Sequence, residues 1–256
     1  MKRKVERVAQ SLVEKLILWE TVDTITLAES ADTEIYDPYF FLSLDVYYRG
    51  IIPDSDERLE LFSDAGIFES SRINRKDRFM IEGLPVRIEY KDMARIEEIL
   101  SGKGGEVWAY RQPGTYMFYR LEQGRVLYQK SDWLPDVQSK LKELPESFWQ
   151  FLQEATKNAM EHFLSDVSAA VIQNDNFFFL VSSAGFIKSL CSLLFLINRR
   201  FEPSGRRFLE MVRDLPDLPE NFRGRFESFL RQDPEFTPGR KRELAELMAK
   251  SVISMI

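Results

Sequence analysis

Phe41-Leu-Ser-Leu-Asp-Val-Tyr-Tyr48 and Leu84-Pro-Val-Arg-Ile-Glu-Tyr90 decide how this chain reads, with Val22-Asp-Thr-Ile-Thr-Leu-Ala-Glu-Ser30 ahead of them. All three have strand length and the apolar, β-branched or aromatic content of strands. The first two each carry one carboxylate, Asp45 and Glu89, in the middle of an apolar run. A lone carboxylate in a buried strand costs several kcal/mol unless an ion pair, hydrogen bonds or a metal ion compensates it. Asp45 and Glu89 are therefore the residues that need a partner.

Working outward, residues 4–19 place Val5, Val8, Leu12, Leu16 and Leu18 at helical spacing. Val22 to Ala28 alternates as a strand, the acidic stretch from Ala31 to Pro38 reads as a loop, and Tyr39 to Tyr48 forms a second strand closed by Gly50 and Pro53. The spacing predicts a helix from Asp56 to Ala65 that ends at Gly66. Phe79–Glu82 and Val86–Tyr90 flank a tight Gly-Leu-Pro turn, and Met93–Leu100 is helical. Tyr116–Leu121 and Val126–Gln129 flank Glu122-Gln-Gly-Arg125, a hairpin signal.

From about Trp133 alternation stops. Helical patterns occupy 146–174, 176–198, 204–214, 219–231 and 238–255, punctuated by prolines. The expected division is an α+β domain over 1–135 and a helical bundle over 136–256. No internal repeat or low-complexity segment interrupts it.

Composition narrows the classes. The chain has 256 residues, 44% hydrophobic and 30% charged, with 20 Phe that read as core filling. The net charge of −6 removes a global electrostatic case for duplex nucleic acid. A single cysteine, Cys191, forbids an intrachain disulfide, and a single histidine, His162, excludes a multi-His zinc site. No uninterrupted apolar signal region opens the chain, and the apolar run Gly185–Ile197 is shorter than a bilayer span. A cytoplasmic protein without a membrane partner is the expectation.

The order of these features resembles the nucleotidyltransferase fold: a strand, a turn bearing Ser30, a strand bearing Asp45, and a later strand bearing Glu89. It is most similar to bacterial nucleotidyltransferase-like proteins with a helical C-terminal domain. Leu194-Phe-Leu-Ile-Asn-Arg-Arg-Phe-Glu-Pro203 and the hairpin before Tyr128 share that likeness. The resemblance implies an α+β mixed sheet with flanking helices, followed by an all-helical bundle. It also implies Mg²⁺-dependent transfer of a nucleotidyl group from a nucleoside triphosphate to a hydroxyl of a small-molecule or macromolecular acceptor.

In that family a Gly-Ser turn approaches the triphosphate, and Glu29-Ser30 stands in its place. The family strand carries two alternating carboxylates, and here those positions are Ser43 and Asp45. Residues two apart on a strand share a face. With a third acid from a neighbouring strand, matched by Glu89, they can hold two Mg²⁺ about 4 Å apart. The resemblance thus implies Asp45 and Glu89 as catalytic metal ligands, Ser30 and Ser43 as nucleotide contacts, and Asp37 as a third metal ligand if its loop folds back.

Glu29 and Ser43 depart from the pattern. They support an alternative: a degenerate member that binds nucleotide or a partner without turnover. Asp45 could instead pair with Arg49 or Arg87, and Glu89 with a cross-strand Arg or Lys. Asp37-Pro38 also reads as an ordinary turn start. Two basic groups, Arg199, Arg200, Arg206, Arg207 and Arg213, and the run from Arg72 through Arg75, Lys76 and Arg78, are candidate phosphate contacts or solvated faces.

Overall fold

The structure, a computed structural model, describes residues 2–28, 40–71, 75–101 and 115–256. It separates into two compact units: Met1–Val107 with Met117–Glu143, and Trp108–Tyr116 with Leu144–Ile256.

The first unit opens with helix α1 (Lys2–Leu16), followed by strands β1 (Val22–Leu27) and β2 (Leu42–Tyr48). Helix α2 (Ser55–Leu61), strands β3 (Gly66–Ser71), β4 (Lys76–Ile81) and β5 (Leu84–Asp92), and helix α3 (Met93–Leu100) come next. Helix α4 (Tyr116–Gln123), strand β6 (Arg125–Gln129) and helix α5 (Trp133–Lys142) complete the series. The strands form one mixed sheet in the order β3-β4-β5-β2-β1-β6. β2 and β5 are parallel, and the other neighbours are antiparallel.

β2 is buried on both faces, and its alternation sorts two chemistries. Leu42, Leu44, Val46 and Tyr48 join Val86, Ile88, Tyr90 and the α1 residues Val5, Val8, Leu12 and Leu16 in one apolar cluster. Ser43, Asp45 and Tyr47 point to the opposite face. Register puts Thr26 of β1, Glu89 of β5 and Lys76 of β4 in line with Asp45. One face of this sheet is therefore a hydrophobic core, and the other is polar and buried.

Four local readings need correction. The hairpin expected around Gln123-Gly124 is absent: Tyr116–Gln123 is helix α4, with Phe118, Tyr119 and Leu121 buried, and β6 pairs with β1. Gly124 stops α4 because a Cβ there would lie 2.7 Å from the Arg120 carbonyl and 2.9 Å from Thr26 Oγ1. Helix α2 starts one residue earlier than expected and ends four residues sooner. Its cap is Asp54, whose carboxylate accepts the Asp56 and Glu57 amides while the Glu57 side chain returns to the Asp54 amide. Gly66 begins strand β3, a half-exposed edge whose pattern carries no strand signal of its own. Helix α5 was hidden by Pro135, which lies within its first turn, where proline is tolerated.

The second unit contains α6 (Glu146–Gln173), α7 (Asn176–Ile197), α8 (Phe208–Arg213), α9 (Phe222–Leu230) and α10 (Pro238–Ile253). α7 is 22 residues long and apolar enough to cross a membrane by composition, longer than the apolar run that stood out in the sequence. Its Phe186, Leu190, Cys191, Leu193, Leu194 and Phe195 form the centre of this unit's core, with Met160 and Val167 of α6 and Ala245 and Met248 of α10. Burial pushes the Cys191 thiol well above its ordinary pKa, as for an inert core thiol.

α6 and α7 meet where Gly185 faces the Phe163 ring. A Cβ at 185 would lie 2.5 Å from Phe163 Cδ1. Gly185→Ala is expected to cost about 1–3 kcal/mol by overpacking, offset by up to about 1 kcal/mol of helix propensity. Urea unfolding of the variant measures the net loss; a gain in stability would mean that the ring moves freely.

Candidate functional site

The polar face of the sheet holds Asp45 at 0% exposure. Arg120 of α4 takes its carboxylate in a fork, with Nη2 to Oδ1 at 2.5 Å and Nε to Oδ2 at 2.7 Å. Lys91 Nζ reaches Oδ2 at 2.9 Å, and the Tyr47 hydroxyl approaches the same oxygen at 3.5 Å. Arg120 Nη2 also donates to Ser43 Oγ at 3.2 Å.

Glu89 completes the cluster. Its Oε2 meets Arg120 Nη1 at 3.1 Å, and its Oε1 meets Lys76 Nζ at 2.8 Å, across the β4–β5 ladder. The cross-strand ion pair considered for Glu89 is thus present, with Lys76. Asp45 is paired too, with Arg120 and Lys91 in place of Arg49 or Arg87. Arg49 instead bonds Glu97, which also accepts from Trp133 Nε1. Trp133 packs on Tyr47 with ring centroids 5.2 Å apart.

The charges act on one another through a dry medium. Burial alone would raise the Glu89 pKa, but the charges of Arg120, Lys91 and Lys76 outweigh it and hold the carboxyl at about 2. Burial lowers the Lys91 pKa, Asp45 and Glu89 oppose that shift, and Arg120 adds to it. Burial, then the Asp45 charge, push the Tyr47 phenol well above its ordinary value, so it serves as a hydrogen-bond donor.

These shifts set an acid prediction. Glu89 has a depressed folded pKa, so its contribution is fully present above its unfolded value of 4.5 and fades as pH falls toward about 2. The amount is on the order of 3 kcal/mol. Unfolding free energy measured from pH 5 to pH 2 should fall more steeply in the wild type than in Glu89→Gln.

Magnesium is the ion that the fold family implies, and the donor set does not fit it. Mg²⁺ requires oxygens free to approach at about 2.1 Å in octahedral array. Here all four oxygens of Asp45 and Glu89 accept from a guanidinium or ammonium group. Ser43 accepts from the same guanidinium. Among the described residues, no three His, Cys, Asp or Glu gather closely enough to hold a metal ion. Ser30, Asp37 and Glu29 lie outside the described residues.

Arg120 is the residue that sequence reasoning missed. It stands 75 residues from Asp45 and lay inside a segment that read as a strand. The remaining signal was electrostatic: two buried carboxylates demanded cations. The basic residues near the end of α7 act differently. Arg199 pairs with Glu146, Arg207 with Glu210, and Arg213 with Glu227, all at partly or fully exposed positions. His162 is exposed beside Asp166 one turn along α6.

Comparison with known proteins agrees with this architecture. The crystal structure of a nucleotidyltransferase-like protein from Exiguobacterium sibiricum 255-15 superposes with a TM-score of 0.50 at 12% identity, covering 97% of this chain and 74% of that one. A CCA-adding enzyme in complex with ATP gives a TM-score of 0.31 at 11% identity, covering 98% and 82%. Residues 112–206 match the family model described as a domain of unknown function, DUF4037. No curated protein matches the chain. The mixed six-stranded sheet with flanking helices, joined to a set of C-terminal helices, is a nucleotidyltransferase-like fold.

Proposed function

We infer that this chain is a nucleotidyltransferase-fold protein that binds a nucleoside triphosphate without a metal ion and without nucleotidyl transfer. The observation that carries this reading is the Arg120 guanidinium, which bonds oxygens of both Asp45 and Glu89. Two-metal transfer requires those oxygens for the ions. In this cluster three cations, Arg120, Lys91 and Lys76, face two carboxylates. The local excess is positive, and it suits a polyphosphate better than a dication. Lys76 and Lys91 retain part of their surface in water and are the groups proposed to meet the phosphates.

A second reading, Mg²⁺-dependent nucleotidyl transfer to a hydroxyl acceptor, is favoured by register. Asp45 and Glu89 lie directly opposite each other on parallel strands. Movement of Arg120 away from them would leave two adjacent carboxylates on one face.

One experiment separates the two. ATP and GTP are titrated calorimetrically in excess EDTA and in millimolar Mg²⁺, and pyrophosphate release is followed in parallel. The expected result is equal affinity in both buffers, no pyrophosphate, and weaker binding in Lys76→Gln. Affinity that requires Mg²⁺ and comes with pyrophosphate release would establish the second reading.

A further inference from the structure

A separate cavity lies at the carboxyl end of β2. It has a volume of about 440 Å³ and is lined by Tyr48, Gly50, Ile51, Ile52, Pro53, Asp54, Ser55, Arg58 and Arg75. That size falls within the range of small-molecule sites. Tyr48 belongs to the apolar face of β2, so alternation separates this cavity from the face that carries Asp45. The end of a parallel strand pair is a recurrent place for ligands in open sheets.

Among the described residues, two guanidinium groups line the cavity, and they are held differently. Arg58 is only 4% exposed. Asp77 grips it at Nε (2.9 Å) and Nη2 (3.2 Å), Ser70 Oγ accepts from Nη2, and the Pro53 carbonyl accepts from Nη1 at 2.7 Å. A guanidinium has five N–H groups. Among the described residues, these four contacts leave one Nη1 hydrogen. Arg58 also stacks over the Tyr90 ring, 5.0 Å from its centroid, which fixes its plane.

Arg75 is the adaptable partner. Its side chain is 52% exposed and donates to the Tyr48 hydroxyl. Asp92 approaches it only at 3.9 Å and is already engaged in capping α3 through the Ala94 amide. Arg75 adopts a φ of 45°, a costly conformation for a non-glycine residue. Such strain clusters at ligand clamps. Asp54, the acid among the described lining residues, turns its carboxylate to the Asp56 and Glu57 amides. Ile51, 85% exposed, and Pro53 supply an apolar wall at the cavity.

We propose that this cavity binds the phosphate monoester of a small organic molecule, with Arg75 as the principal contact and Arg58 as a fixed second donor. Guanidinium forks read phosphate oxygens bidentately. Arg75, just ahead of β4, and Arg58 of α2 line the cavity from two segments of the fold, so one phosphate can take a guanidinium donor from each. The apolar wall takes the organic body. This site is independent of the triphosphate reading above, because it uses neither Lys76 nor Lys91.

The test is calorimetric titration of the full chain with AMP and with inorganic phosphate, in EDTA. AMP should bind more tightly than phosphate. Arg75→Gln should weaken AMP by about tenfold or more, and Arg75→Lys should recover part of the loss. Lys250→Gln, a change on an exposed face of α10, should leave AMP affinity unchanged. An unchanged urea midpoint in Arg75→Gln confirms that the variant folds. Absence of AMP binding to the wild type, or equal affinity in Arg75→Gln, overturns the proposal. Loss of AMP binding in Lys76→Gln with retention in Arg75→Gln also overturns it, by moving the ligand to the Asp45 face.

Discussion

Arg120→Met should lose about 3–5 kcal/mol of unfolding free energy, measured by urea denaturation at pH 7. Methionine replaces the arginine chain as far as Nε, so the loss reports the guanidinium and its bonds more than the aliphatic stem. Among the described residues, removing the guanidinium leaves Asp45 buried with Lys91, and Glu89 with Lys76. A buried carboxylate that loses its fork also loses two charge-assisted hydrogen bonds. Asp45→Asn should be similarly harmful, because Arg120 and Lys91 then compete for one neutral acceptor.

The double variant Arg120→Met with Asp45→Asn should lose less than the sum of the singles, with a coupling of about 1–3 kcal/mol. A loss below about 1 kcal/mol in Arg120→Met would mean that water or another cation neutralises the pair. The triphosphate reading would then lose the observation on which it stands.

The second large effect is expected at Asp77. Its carboxylate is fully buried and holds the Arg58 Nε and Nη2 atoms as well as the Tyr90 hydroxyl, the last at 2.7 Å. Asp77→Ala strands a buried guanidinium and a buried phenol together, and about 3–5 kcal/mol should be lost. Asp77→Asn keeps the shape and one acceptor and should lose less. Thermal unfolding of both variants checks the order. The pair also explains why an acid sits inside β4 on its apolar face: there Asp77 lies opposite Ile88 in the ladder and ties β4 to α2.

Much of this architecture was legible because periodicity is local. β2 and β5 show their strand character in runs of Leu, Val, Ile and Tyr. α6 and α7 emerge within a residue of the expected limits because their caps, Pro145 and Asp175, and the Asn174 turn between them sit in the sequence. Tertiary context overrode local reading at α4, where a Gly that signals a hairpin is instead a close-packing stop against Thr26. It also overrode it at β3, an edge strand defined by its partner β4.

The sequence by itself determined that Asp45 and Glu89 would lie in buried strands and would each need compensation, since strand burial and the cost of a lone charge are properties of the nearby residues. A cross-strand Arg or Lys was one of the partners it offered Glu89, and the extension of β4 back to Lys76 supplied that residue. Only the tertiary structure decided which cation reaches Asp45. That choice depends on which side chain reaches the polar face across 75 residues of chain, and α4 brings Arg120 there with three nitrogens spaced to bond both acids and Ser43. The same holds for the cavity at Tyr48. Arg75 read in sequence as part of a basic run that was a candidate phosphate contact or a solvated face, and Arg58 carried no signal; the packing of α2 against β4, with the left-handed backbone at Arg75, gathers them at one strand end.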